Sequence, residues 1–133
     1  MKDFHLRIIT PDGVKFDGEV GGLLVRTDDG DVEILAGHID YFAHLAIGRA
    51  RLIIGDKSRF ASVNGGCVLV SSGSVTLTAT TFEFAEEIDL ARAKVARDAA
   101  EKKISDAKSD YELVLAKAKL MRAINRINVA ELL

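Results

Sequence analysis

Three arginines and an aspartate in the last third of the chain are the residues whose types and spacing best suit chemistry. Arg122 and Arg126 stand four apart, which puts them on one face of any helix, and Arg92 shares the stretch "IDLARA", residues 88 to 93, with Asp89. If two helices fold back on each other about Ala107, Arg92 and Arg122 come level, and Arg126, one turn further, approaches Asp89 and Ile88. Guanidinium groups gathered this way repel one another unless an anion sits among them, and their planar forks hold phosphate through paired hydrogen bonds. A solvated basic face accounts for the same spacing equally well. The remaining reactive types are scattered. His5, His38 and His44 follow no metal-ligand spacing, and Cys67 has no Lys, Arg or His beside it in sequence, so it reads as a packed thiol. A small enzyme built on His38 and Asp40 would lack a nucleophile, a metal motif and a convergent acid. No catalytic residue and no metal ligand is therefore assigned.

The elements that must position these groups change character near residue 85. Upstream, Phe4, Leu6 and Ile8 alternate with His5, Arg7 and Ile9, and Val75, Leu77 and Ala79 alternate with threonines, the period-2 pattern of half-buried strands. Turn compositions separate such runs: "TPDG" at 10 to 13, "DDGD" at 28 to 31, "GDKS" at 55 to 58 and "SSGS" at 71 to 74. With no helix-length segment among them, residues 1 to 84 predict an antiparallel β-sandwich or flattened barrel. The glycine pair in "VNGGCVLV", residues 63 to 70, leads into a strand and not a helix. It predicts a bulge or tight corner and no phosphate loop.

Beyond Gly73 the chain contains neither glycine nor proline. Residues 85 to 133 are rich in Ala, Lys, Arg, Glu and Leu, with Glu86, Glu87 and Asp89 where a helix N-terminus favours acids, so a first helix is expected from Glu86. Its apolar stripe reads as Ile88, Ala91, Val95, Ala96, Ala100 and Ile104, and the alanines invite a close partner. "SDYE" at 109 to 112 is a capping box that starts a second helix, whose stripe reads as Tyr111, Val114, Leu115, Ala118, Met121 and Asn125. A single long helix is the alternative to this antiparallel two-helix hairpin, opposed by the break at Ser105 to Ser109. The fold class is thus α+β: a sandwich, then a helical hairpin.

Composition narrows function further. Hydrophobic residues make up 48% and charged residues 29% of 133, the balance of a folded protein with a real core. The formal charge of −2 argues against nucleic acid as a partner. A single cysteine allows no internal disulfide, which suits a reducing compartment, and no run reaches the length of a membrane span. With no leader pattern after Met1, the chain is expected to stay where it is made.

Along its whole length the sequence resembles the epsilon subunit of bacterial and chloroplast F-type ATP synthases. "TPDG" at 10 to 13, "ILAGHID" at 34 to 40, "IDLARA" at 88 to 93 and "RAINRINVAELL" at 122 to 133 carry the match in order and spacing. The resemblance implies a central-stalk component that is not itself a catalyst. Its sandwich would dock on a gamma subunit and on the ring of membrane c subunits. The ring contact would fall on the loops holding Asp28, Asp29, Gly30 and Asp31, and His38. Its hairpin would be a mobile regulator, folded down or extended into the alpha/beta catalytic head, where it blocks ATP hydrolysis. No cofactor is implied, but ATP is implied as a regulatory ligand at Glu83, Ile88, Asp89, Arg92, Ala93, Arg122 and Arg126. Ala99 stands where nucleotide-binding relatives carry a further arginine, so weak affinity is expected. The location implied is the cytoplasmic face of the cell membrane, as a peripheral part of the synthase complex. A free-standing nucleotide-sensing module is the alternative function.

Overall fold

The computed structural model describes residues 2 to 133, which divide into two compact units, 2 to 84 and 85 to 133. The first unit holds ten strands: β1 (Phe4–Thr10), β2 (Gly13–Val20), β3 (Gly22–Thr27), β4 (Gly30–Ile34), β5 (Tyr41–His44), β6 (Gly48–Ile54), β7 (Lys57–Asn64), β8 (Cys67–Ser71), β9 (Ser74–Thr78) and β10 (Thr81–Phe84). They form two five-stranded sheets, ordered β2-β1-β9-β8-β5 and β10-β7-β6-β3-β4. This is the sandwich that the alternation predicts.

Within the strands, side chains point alternately to the two faces, and one face of each sheet is apolar. In β1 the inward set is Phe4, Leu6, Ile8 and Thr10; the opposing sheet contributes Leu23, Val25, Leu52 and Phe82, all buried. The core lies entirely between the two sheets of this unit. One pairing departs from the antiparallel expectation. β1 runs parallel to β9, with Leu6 opposite Val75 and Ile8 opposite Leu77. A parallel neighbour requires a long crossover, and here every strand from β2 to β8 lies in between. Turn composition, which reports only local reversals, cannot show that.

The glycine pair is a tight corner between β7 and β8. Gly65 and Gly66 have φ of 65° and 111°, and a Cβ on Gly66 would overlap the Thr78 carbonyl oxygen and the Ala79 backbone. The exposed edge strand β2 carries Lys15, Asp17 and Glu19, charges that discourage edge-to-edge association. His5 on β1 meets that edge, its Nε2 lying 2.7 Å from Asp17 Oδ1.

The second unit opens with a 3₁₀ turn, Ala85–Glu87, and continues as α1 (Leu90–Asp106) and α2 (Asp110–Ala130). Glu86 and Glu87 therefore precede the α-helix that the composition places them in. The true N-cap is Asp89, whose carboxylate accepts from the Arg92 amide at 3.1 Å. Ser109 caps α2 by accepting from the Glu112 amide at 3.1 Å, and Glu112 reaches back to accept from the Lys108 amide at 2.9 Å. The second bond lands one residue earlier than in a standard capping box. The break at 107 to 109 is real, and the hairpin stands in place of one long helix.

The packing stripe differs from the expected one. Ala93 and Ala100 on α1, and Ala116, Ala123 and Ile127 on α2, are buried, with Leu90, Arg97, Ile104, Leu113 and Leu120 partly covered. These positions recur at alternating intervals of three and four, the seam of an antiparallel coiled coil. Ala93 and Ala123 are equidistant from Lys108, as are Ala100 and Ala116, so alanine faces alanine. Of the expected stripes, Ile88 and Ala100 are buried and Ile104 is partly covered, whereas Val95 (68% exposed) and Tyr111 (73%) lie outward. Along the seam an alanine alternates with a longer side chain, and the alanine pairs let the backbones approach closely.

Candidate functional site

The arginine site is assembled from the base of the hairpin. Asp89 ends the extended segment (φ −80°, ψ 99°) and turns its carboxylate onto the first amides of α1, which fixes its position without using all of its acceptor capacity. Ile88 is buried before it, and Ala93 is fully buried one turn later, its amide donating to the Asp89 carbonyl at 3.0 Å. Arg92 projects outward from this first turn, exposed. On α2, Arg122 and Arg126 flank Ala123 and are half-buried, with the Nε of Arg126 fully enclosed. Ala93 and Ala123 lie level, and Arg92 and Arg122 each immediately precede one member of that pair. The structure thus brings Ile88, Asp89, Arg92 and Ala93 into one turn and sets Arg122 and Arg126 one turn apart on α2. Glu83 belongs to the other unit, on β10, opposite Ser62 of β7.

Arg97, the nearest arginine to Ala99 in sequence, does not replace the missing one. It lies on the inner seam of α1, and its Nε donates to Asp98 Oδ1 at 3.1 Å, whereas Ala99 is on the exposed side. Arginines near the site are therefore Arg92, Arg122 and Arg126.

The two loops of the sandwich are built differently. At the β3–β4 turn, the Thr27 hydroxyl donates to the Gly30 carbonyl at 2.8 Å and accepts from the Asp29 amide at 3.1 Å, a side-chain-closed turn that presents Asp28 and Asp29 to solvent. Gly30 takes φ of 119° there. Asp31 is not free: Arg26 grips it with Nε at 2.9 Å and Nη2 at 3.4 Å. That hydrogen bond, with the nearby charge, holds the Asp31 carboxyl below the usual carboxylate range against slight desolvation. His38 ends a turn in which its amide donates to Leu35 at 3.2 Å, and its Nδ1 lies 2.8 Å from the Ile39 carbonyl, so that nitrogen carries the proton. The loop is anchored by Asp40, which accepts from the Ser72 amide at 2.9 Å.

Between the β3–β4 turn and β5 lies a shallow cavity of about 290 Å³, lined by Thr27 to Asp29 and Tyr41 to His44. Sequence reading passes over Phe42 and weighs His44 only as a metal ligand. They lie on the outer face of the short edge strand β5, stacked edge to face at 5.4 Å, and Phe42 pairs across the sheet with exposed Leu69. The signal was present in "YFAH", where an aromatic occupies the outward phase of the alternation. Among the described residues no group of three His, Cys, Asp or Glu is placed to hold a metal, and no helix is long and apolar enough to cross a membrane.

A sandwich that presents loops and an apolar edge, followed by a close-packed helical hairpin, defines an assembly module with a helical appendage. Residues 3–85 match the ATP synthase delta/epsilon chain beta-sandwich domain and residues 86–131 match the delta/epsilon chain long alpha-helix domain, so the chain belongs to the ATP synthase delta/epsilon chain family. It is 38% identical over 130 residues to the ATP synthase epsilon chain of Bacillus velezensis, covering 98% of both chains. Its identity to that of Bacillus licheniformis is also 38%, with 98% of this chain and 99% of the relative covered. Among solved structures, it resembles a chain of the Euglena gracilis mitochondrial ATP synthase (OSCP/F1/c-ring, rotational state 1) with a TM-score of 0.84 at 23% identity. That match covers 98% of this chain and 82% of that one. A chain of the Tetrahymena thermophila mitochondrial ATP synthase central stalk and c-ring aligns with a TM-score of 0.67 at 14% identity, covering 97% of each. These two likenesses concern the fold.

Proposed function

We propose that this chain is the epsilon subunit of an F-type ATP synthase, a non-catalytic part of the central stalk on the cytoplasmic face of the cell membrane. The observation that carries the reading is the match of both units, in order, to epsilon chains over nearly the whole length. The sandwich serves as the anchor. The loops holding Asp28 to Asp31 and His38 meet the c-subunit ring, and the apolar edge of Phe42, Leu69 and Ile39 meets the gamma subunit. In support, Ile39 is 78% and Phe42 55% exposed, large apolar groups that gain from burial against a partner. The hairpin serves as the regulator. The fully buried residues of its seam are alanines apart from Ile127, so each helix buries little area and a change of partner costs only about a few kcal/mol. That is a range in which a ligand, or an acidic surface of the alpha/beta head, shifts the population.

ATP is the ligand we assign to the hairpin base. Asp89 accepts from the adenine amino group, while Arg92, Arg122 and Arg126 hold the phosphates; Ile88 and Ala93 complete the set on the hairpin. With Ala99 exposed and Arg97 paired on the seam, affinity is expected in the high-micromolar to millimolar range.

Co-expression with the gamma subunit and c-ring of the same synthase tests the anchor. The chain should co-purify with them, and Phe42→Asp with Leu69→Asp should weaken the gamma contact while the isolated chain stays folded. A chain that never associates with gamma, yet binds ATP, would identify a free-standing nucleotide sensor instead. For the ligand, amide NMR shifts on ATP titration should saturate around Asp89, Arg92 and Arg126 and vanish in Arg122→Ala. Silence at physiological ATP would assign the arginines to the extended, inhibitory contact.

A further inference from the structure

Four strands lie at sheet edges: β2 and β5 in one sheet, β10 and β4 in the other. Three of them carry charges that discourage pairing: Lys15, Asp17 and Glu19 on β2, Asp31 and Glu33 on β4, and Glu83 on β10. The fourth, β5, carries no Lys, Arg, Asp or Glu. Its register with β8 decides which of its backbone groups are open. The Leu45 amide donates to the Gly66 carbonyl at 2.9 Å, in register with Ala43 opposite Val68 and Tyr41 opposite Val70. Bonded and non-bonded pairs alternate in an antiparallel ladder, so Tyr41 and Ala43 bond β8 while Phe42 and His44 turn their N–H and C=O groups outward. The Asp28 amide agrees with that direction, donating to the His44 carbonyl at 3.1 Å. Among the described residues the Phe42 N–H and C=O have no backbone partner. They open toward the cavity of about 290 Å³ that Thr27, Asp28 and Asp29 border on its other side.

The two borders of that cavity differ in chemistry. Phe42, with Leu69 across the ladder from it, is apolar, whereas Asp28 and Asp29 are exposed acids, and it is Asp31 that Arg26 holds. We infer that β5 takes an extended segment of the gamma subunit as a sixth strand of its five-stranded sheet. The backbone of that segment bonds the N–H and C=O of Phe42, an apolar side chain pairs with the Phe42 ring, and a Lys or Arg reaches Asp28 and Asp29. Charge complementarity at the acidic border and the continuity of β5 with the apolar edge of Phe42 and Leu69 select this occupant. The inference rests on the epsilon-subunit reading and specifies how the gamma contact is made: through main chain as well as side chains.

Amide hydrogen exchange on the full chain, alone and mixed with the gamma subunit of the same synthase, tests it. The Phe42 amide should exchange rapidly in the free chain and slow by about 100-fold or more in the complex, while that of Ala43, already bonded to β8, changes little. Docking through side chains alone would not single out alternate amides. Asp28→Lys combined with Asp29→Lys should weaken gamma binding about tenfold or more, with circular dichroism checking that the sandwich stays folded. A stable gamma complex in which the Phe42 amide stays unprotected would overturn the strand addition and leave the epsilon-subunit reading standing. Protection of Phe42 by the c-ring and not by gamma would also overturn it, by giving the edge to another partner. No complex with gamma at all would overturn both.

Discussion

Individual residues in this chain differ sharply in what they tolerate, and Gly66 marks the limit. Its φ of 111° and the Thr78 carbonyl against its missing side chain leave no room for a methyl group. Gly66→Ala should destabilise the sandwich by about 3 kcal/mol or more, because backbone and not a flexible side chain would have to move. Gly73, also left-handed at φ 80° but with open space around it, is the internal control. Gly73→Ala should cost only about 1–2 kcal/mol, and urea denaturation of the two variants separates the effects. The Arg26–Asp31 pair gives a prediction in pH. Asp31 has a folded-state pKa below its unfolded value, so its contribution is present above the unfolded value and fades as pH falls through the folded one. Thermal melts in acid should show a shallower loss for Asp31→Asn than for the natural chain, and the difference should be small because the pair is exposed. At this scale the sequence reveals turn chemistry well. It does not reveal which glycine abuts backbone, since Thr78 is distant in sequence from Gly66.

The secondary elements were legible in kind and less so in orientation. Alternation located the strands, and "SDYE" located the start of α2, because caps and turns are decided by a few adjacent residues. The hairpin's inner face was located in part, at Ala100 and Ile104, while Val95 and Tyr111 proved outward because apolar residues occur on more than one face of each helix. The capping residue remains a clear target. Ser109→Ala should cost about 1 kcal/mol and reduce helicity measured by far-UV circular dichroism. Ala123→Leu, on the seam opposite Ala93, should force the helices apart and cost about 1–3 kcal/mol. Val114→Lys, on the outward stripe, should leave the melting of the isolated chain nearly unchanged. The arginine site was partly legible: Arg122 and Arg126 share a face by spacing alone, while the commitment of Arg97 to the seam depends on which stripe is buried.

For the molecule as a whole, the division at Phe84 predicts independence. The apolar core cluster of the first unit is built from residues between Phe4 and Phe84. Residues 1 to 84 alone should therefore melt in one cooperative transition with intact near-UV circular dichroism, whereas the hairpin alone, with its thin alanine seam, should be only marginally helical. Loss of cooperative melting in the truncated sandwich would overturn this view. The two-layer architecture was readable from the pattern of turns. The parallel β1–β9 pair was not, since it joins segments that no local rule connects.

That parallel pair also sets a clock. Strand β1 lies one place in from the edge of its sheet, between β2 and the much later β9. Until β9 has emerged, β1 can pair only with the edge strand β2, and the sheet cannot close. Loop-closure entropy over so long a separation slows the step, placing the sandwich among domains that fold in about milliseconds to seconds. A nascent chain halted before Ser74 should remain sensitive to protease, and protection should arrive abruptly once β9 clears the exit tunnel.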